Sequence, residues 1–185
     1  MTAVLPSLAL ALLCLLWAGA EVPVQPGFNS EKFAGTWHVV AAFSNCSSFL
    51  KMKDLMMSSI TTISFTPEGD VVMNIIWSLP DRCQKIELFY HQNGQAGRYM
   101  GTSQGKSDMR VMETDYSSYA ITYEILRSEE EFSVGMQLLT REQDVSPQLL
   151  EKFEELIPTV GLTKDMLAVF PKTGECQEGA GWHAR

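Results

Sequence analysis

Nucleophilic or metal chemistry in this chain would have to come from its four cysteines, its three histidines and its hydroxyl side chains. His38, His91 and His183 show no spacing typical of a zinc or other metal site, and no Ser-His-Asp set can be assembled by motif. No metal or other cofactor is expected. Cys14 falls in an apolar leader, which leaves Cys46, Cys83 and Cys176 for the body of the protein. An odd number of cysteines in an oxidising compartment leaves one thiol unpaired. Cys83 closes one predicted strand and Cys176 lies in the tail, so a Cys83–Cys176 bridge would tie the C-terminus to the fold. Closing that loop would contribute roughly 3 to 5 kcal/mol through chain entropy. Cys46 is then the free thiol. It lies within Asn45-Cys46-Ser47, an acceptor sequence for N-glycosylation that places Asn45 on a surface loop as the expected glycan site. The alternative is an unmodified Asn45 beside a partly covered thiol.

These readings depend on the leader. Met1–Ala20 contains no Asp, Glu, Lys or Arg, and its apolar run from Leu8 to Trp17 ends in Ala18-Gly19-Ala20. That is the pattern of a secretory signal peptide, cleaved to leave Glu21 first. The run is shorter than the roughly 20 residues needed to span hydrocarbon, and no second run follows, so no membrane anchor is expected and the destination is extracellular. Residues 21–185 suit one domain, expected to act as a monomer. The formal net charge of −8 falls on that domain. Without a Lys/Arg cluster, it argues against nucleic acid and anionic membrane surfaces as partners.

Between Phe33 and Arg141 the elements that would position any site are short period-two segments broken by turn signals, which predicts an all-β meander. The turns include Pro67-Glu68-Gly69-Asp70, Leu79-Pro80-Asp81 and Asn93-Gly94. Some segments alternate cleanly: Asp108 and Arg110 fall on one face, Met109 and Val111 on the other. Others, such as Val72–Trp77 and Tyr119–Tyr123, are apolar on both faces and need an outer cover. Ser146-Pro147 reads as an N-cap and first helical residue, opening an amphipathic helix that runs to Ile157 before Pro158 stops it. Leu149, Leu150, Phe153, Leu156 and Ile157 form its apolar stripe. Met166–Phe170 reads as a last short strand.

Three segments carry a family resemblance: Gly35-Thr36-Trp37 in the first strand, Thr114-Asp115-Tyr116 between two later strands, and Arg141 at the end of another. With a cysteine pair and a late helix, the chain resembles the lipocalins, and within them the subgroup of lipocalin-type prostaglandin D synthases and extracellular fatty-acid-binding proteins. Phe49-Leu50, Asp144-Val145-Ser146-Pro147 and Thr163-Lys164-Asp165-Met166 belong to that likeness. The resemblance implies an eight-stranded antiparallel up-and-down β-barrel with one C-terminal helix packed outside, carrying a small hydrophobic molecule such as a fatty acid, retinoid or steroid. It also implies that Trp37 plugs the closed end from inside while Arg141 packs across it from outside.

Strand alternation then supplies an expected cup lining: Val39 and Ala41; Ser59 and Thr61; Met73, Ile75 and Trp77; Leu88 and Tyr90; Met109 and Val111; Thr122 and Glu124; Gln137 and Leu139. The same residues could instead fill a solid core. A ligand is expected over Met73, Ile75, Trp77, Met109 and Leu139. Glu124 is either an inward carboxyl opposing anionic ligands or a strand-end residue in solvent. No inward Lys or Arg is found, which disfavours strongly anionic ferric catecholates. The rival reading is a prostaglandin isomerase, but the resemblance places Ser59 where those enzymes carry a cysteine nucleophile, and a serine without a base is almost wholly protonated. The chain is therefore read as a carrier and not an enzyme. A protein-interaction or inhibitor module working through the mouth loops, or through an unknown receptor, is the third reading.

Overall fold

The computed structural model describes residues 21–78, 83–102 and 105–172. Alternating segments become eight consecutive antiparallel strands: β1 (Gly35–Ser44), β2 (Ser59–Phe65), β3 (Val71–Ser78), β4 (Cys83–Gln92), β5 (Arg98–Gly101), β6 (Lys106–Thr114), β7 (Tyr119–Arg127) and β8 (Phe132–Thr140). Each pairs with the next, and β1 pairs with both β2 and β8. The sheet therefore closes, and closure removes the open edges that would otherwise template aggregation. Cys83 opens β4 rather than ending a strand. A short β9 (Leu167–Val169), trimmed by a residue at each end from the expected Met166–Phe170, adds outside the eight by pairing with Ala41–Phe43 of β1. The leader, the Leu79-Pro80-Asp81 turn, Cys176 and His183 lie outside the described residues.

A bulge in β1 changes which side chains face inward. The β1–β8 register moves from Val39↔Leu139 to Ala41↔Leu138, so one extra residue sits on β1. An extra residue reverses the alternation beyond it. Trp37 and Val39 join the interior cluster, as does Ala42, whereas Ala41 packs in the outer one. The expected inward placement of Ala41 is thus corrected by one position.

The outer cover is α-helical. Ser146 accepts a hydrogen bond from the Leu149 N–H and caps the helix Pro147–Glu154. Phe153 is fully buried and stacks near Phe43, ring centroids 4.9 Å apart. With Ile157 it shields the outward faces of Ile121, Tyr123 and Leu138, which accounts for the doubly apolar β7. The helix stops at Glu154, three residues before the expected Ile157. Pro158 has no N–H to donate to the Glu154 carbonyl and its ring crowds that oxygen, so the α-helical ladder cannot continue. A 3-10 turn, Ile157–Val160, takes over.

At the closed end, α1 (Ser30–Phe33) lies under the barrel. Trp37 is wholly buried and its indole N–H donates to the Phe33 carbonyl at 2.8 Å. The Arg141 guanidinium lies 3.7 Å from the Trp37 ring centroid and donates to the carbonyls of Lys32, Ala34, Thr36 and Tyr116. Gly35 has φ +106°, and a Cβ there would stand 3.2 Å from the Arg141 guanidinium. A side chain at this position would strain the backbone and push the stack apart. One Asp115 oxygen accepts the backbone N–H groups of Ser117, Ser118 and Tyr119. This turn sets Tyr116 at φ +66°, with its hydroxyl accepting the Asn29 N–H.

Candidate functional site

Above the Trp37 plug, inward residues of the strands leave a cavity of about 230 Å³. Its wall includes Met73 and Ile75 from β3, Leu88 and Tyr90 from β4, and Met109 from β6. Thr122, Glu124 and Leu126 come from β7, and Ser133, Gly135 and Gln137 from β8. Cross-strand pairs such as Met73↔Leu88 and Thr122↔Gln137 put these side chains on one face. The lining contains one carboxylate, Glu124, and no Lys or Arg among the described residues.

Eight of the fifteen expected lining residues meet at this cavity: Met73, Ile75, Leu88, Tyr90, Met109, Thr122, Glu124 and Gln137. Val39, Val111 and Leu139 pack with Trp37 in the interior cluster instead, so the region around the plug is filled. Ser59 and Thr61 are buried opposite Val39 and Trp37, away from the cavity lining. Trp77 faces a separate groove of about 340 Å³ at the mouth, with Phe49, Met52, Leu55 and Met56. Trp77 and Leu139, expected to border the ligand, thus lie outside the cavity lining, which holds Met73, Ile75 and Met109 of the same expected set.

Alternation also missed several residues. Ala42 and Ser44 reach the cavity only because of the β1 bulge, and Cys46 and Phe49 arrive from the segment after β1. That segment forms α2 (Ser47–Met52) at the mouth. Cys46 at its N-cap makes no side-chain cap hydrogen bond, and Glu131, in the turn before the neighbouring strand β8, accepts the Ser47 N–H at 2.7 Å. Leu126 could have been read by extending the Thr122–Glu124 alternation by two.

The polar centre of the cavity is a cluster. The Tyr90 hydroxyl donates to Glu124 at 3.1 Å, and the Ser107 hydroxyl lies close to the same carboxyl. Burial pushes the Glu124 carboxyl above its usual range despite the Tyr90 donor and the nearby Ser107 hydroxyl. Burial, followed by the neighbouring Glu124 charge, raises the Tyr90 phenol as well. At the mouth, Cys46 is a free thiol within 3.1 Å of the Ser48 hydroxyl and 3.6 Å of Glu131. Asn45 continues the β8 pairing, its side-chain oxygen accepting the Val134 N–H at 2.7 Å. Cys83 is not a free side chain. No group of three or more His, Cys, Asp or Glu residues able to hold a metal occurs among the described residues.

A closed antiparallel barrel with one plugged end and an apolar blind cavity defines a small-molecule calyx. The Lipocalin / cytosolic fatty-acid binding protein family model matches residues 34–174, and the chain belongs to that family. Human lipocalin-15 is 40% identical over 169 residues, covering 90% of this chain and 92% of that protein. The extracellular fatty acid-binding protein of Coturnix japonica is 34% identical over 170 residues, covering 92% and 94%. The prostaglandin-H2 D-isomerase of Ovis aries is 29% identical over 165 residues, covering 87% and 86%. Among solved structures, the siderocalin Ex-FABP, described as functioning through dual ligand specificities, superposes with a TM-score of 0.71 at 29% identity. That match covers 78% of this chain and 97% of the other.

Proposed function

We propose that the chain is a secreted carrier that holds a small hydrophobic molecule in its barrel and does no chemistry on it. The observation that carries this reading is the apolar cavity above a filled, plugged end. Burying the apolar part of a ligand there contributes roughly 25 cal/mol per Å², less the freedom lost on binding. A volume of about 230 Å³ lies below the roughly 300–1,000 Å³ of typical small-molecule sites, which favours a slender ligand. The absence of a lining Lys or Arg among the described residues tells against anionic siderophores. Secretion is supported by the uncharged leader Met1–Ala20 and by likeness to proteins named extracellular.

Against isomerase activity, Ser59 stands at the position read as the enzymes' cysteine and lies outside the cavity lining. The residues proposed to meet ligand are those eight expected residues that converge on the cavity, together with Ala42, Phe49 and Leu126. Native mass spectrometry of protein secreted from cells and purified without delipidation tests the function. A bound lipophilic mass is expected. An empty protein holding a tight protein partner would overturn the carrier reading in favour of an interaction module.

A further inference from the structure

The Tyr90–Ser107–Glu124 cluster is more than a wall element, because two neighbouring glycines make room for it. Tyr90 and Gly101 are cross-strand partners, and a Cβ on Gly101 would come within 2.8 Å of the Tyr90 ring and 2.7 Å of the Ser107 hydroxyl. Only a residue without a side chain lets that ring lie against β5 and aim its hydroxyl at Glu124. Glu124 faces Gly135 across the β7–β8 pair, so its direct partner on β8 contributes no side chain over the carboxyl. A carboxylate offers about four lone-pair sites, and the Tyr90 hydroxyl engages one of them while the Ser107 hydroxyl lies close by. The remaining capacity sits in the cavity wall, beside the hydroxyl of Thr122 and the amide of Gln137. Met73, Ile75, Leu88 and Met109 supply the apolar remainder.

We infer that this cluster seats the polar end of the ligand and selects a lipophile ending in a hydrogen-bond donor, a hydroxyl or an ammonium, over one ending in a carboxylate. The inference rests on the carrier reading above and narrows its ligand class. A donor head completes the acceptor capacity of Glu124, and a buried acceptor left unmatched is costly. A carboxylate head would place two acids in one site, where like charges oppose each other and no lining cation offsets them.

Displacement of the neutral fluorescent probe N-phenylnaphthylamine by three ligands of equal chain length, dodecanol, dodecylamine and dodecanoic acid, tests this near neutral pH. The alcohol, the amine or both should displace the probe at concentrations about tenfold lower than the acid, a gap of roughly 1.4 kcal/mol. Preference for the amine alone would assign the site to an ammonium, and preference for the alcohol alone to a hydroxyl. Glu124→Gln should bring the acid to within about threefold of the alcohol, chiefly by improving the acid. If the variant fails to fold, the wild-type comparison decides alone. Equal displacement by all three ligands, or a lead for the acid, overturns the inference and leaves the carrier reading standing. A protein that binds neither the probe nor any of the three overturns both.

Discussion

Glu124 places a carboxyl where charge is costly, and that cost should appear in stability as well as in ligand choice. Burial raises its folded-state pKa above the unfolded value of about 4.3. Between the two values the folded state holds more protons, so stability falls as pH rises through that window, and the cost is complete above the folded value. Glu124→Gln is therefore expected to melt above the wild type at about pH 8 and together with it at about pH 3, below both pKa values. An equal difference at both pH values would remove titration from the account. Arg141 works in the opposite sense, as a cation whose flat face covers Trp37 while its fork meets several carbonyls. Lysine keeps the charge but loses the plane and the fork. Arg141→Lys should cost about 2–3 kcal/mol, read from the urea midpoint. A loss below about 0.5 kcal/mol would show that the stack is incidental.

At the scale of elements, α2 lies at the mouth of the cavity. Phe49 lines both the cavity and the outer groove that holds Trp77, so one ring separates the two spaces. The helix is short, lacks a side-chain N-cap, and is tied to the turn before the neighbouring strand β8 by the Ser47–Glu131 hydrogen bond. Such a segment belongs to the low-stability end of a fold. Phe49→Ala should join the two spaces and speed probe dissociation roughly tenfold in stopped-flow measurements, with a smaller change in the association rate. An unchanged dissociation rate would show that ligands leave by another route. The β1 bulge acts at the same scale, delivering Ala42 and Ser44 to the cavity and Ala41 to the surface beneath the helix.

Over the whole molecule, the barrel closes on itself and β9 joins it from outside through β1. A Cys83–Cys176 bridge with Cys46 free is the proposed pairing, supported by the free Cys46 thiol and the engaged Cys83 side chain. Peptide mapping of the non-reduced protein should recover a Cys83–Cys176 peptide, and a bridge to Cys46 would sink the assignment. The amino-acid order by itself determined the meander, the turns at Pro67–Asp70 and Asn93-Gly94, the Ser146 cap, and the inward faces of β3, β4, β6 and β7. Those features follow from alternation and turn chemistry, which neighbours in sequence decide. It also carried Trp37 and Arg141, because the family motif spells them out. Only the tertiary structure decided that Ala41 turns outward, that Trp77 faces the mouth groove, and that Val39, Val111 and Leu139 pack around the plug while Met73, Glu124 and Gln137 border open space. A bulge depends on how β1 meets β8, its partner from the far end of the barrel. Cavity volume depends on how eight tilted strands close and on which loop folds over the mouth, and neither is a property of any single segment.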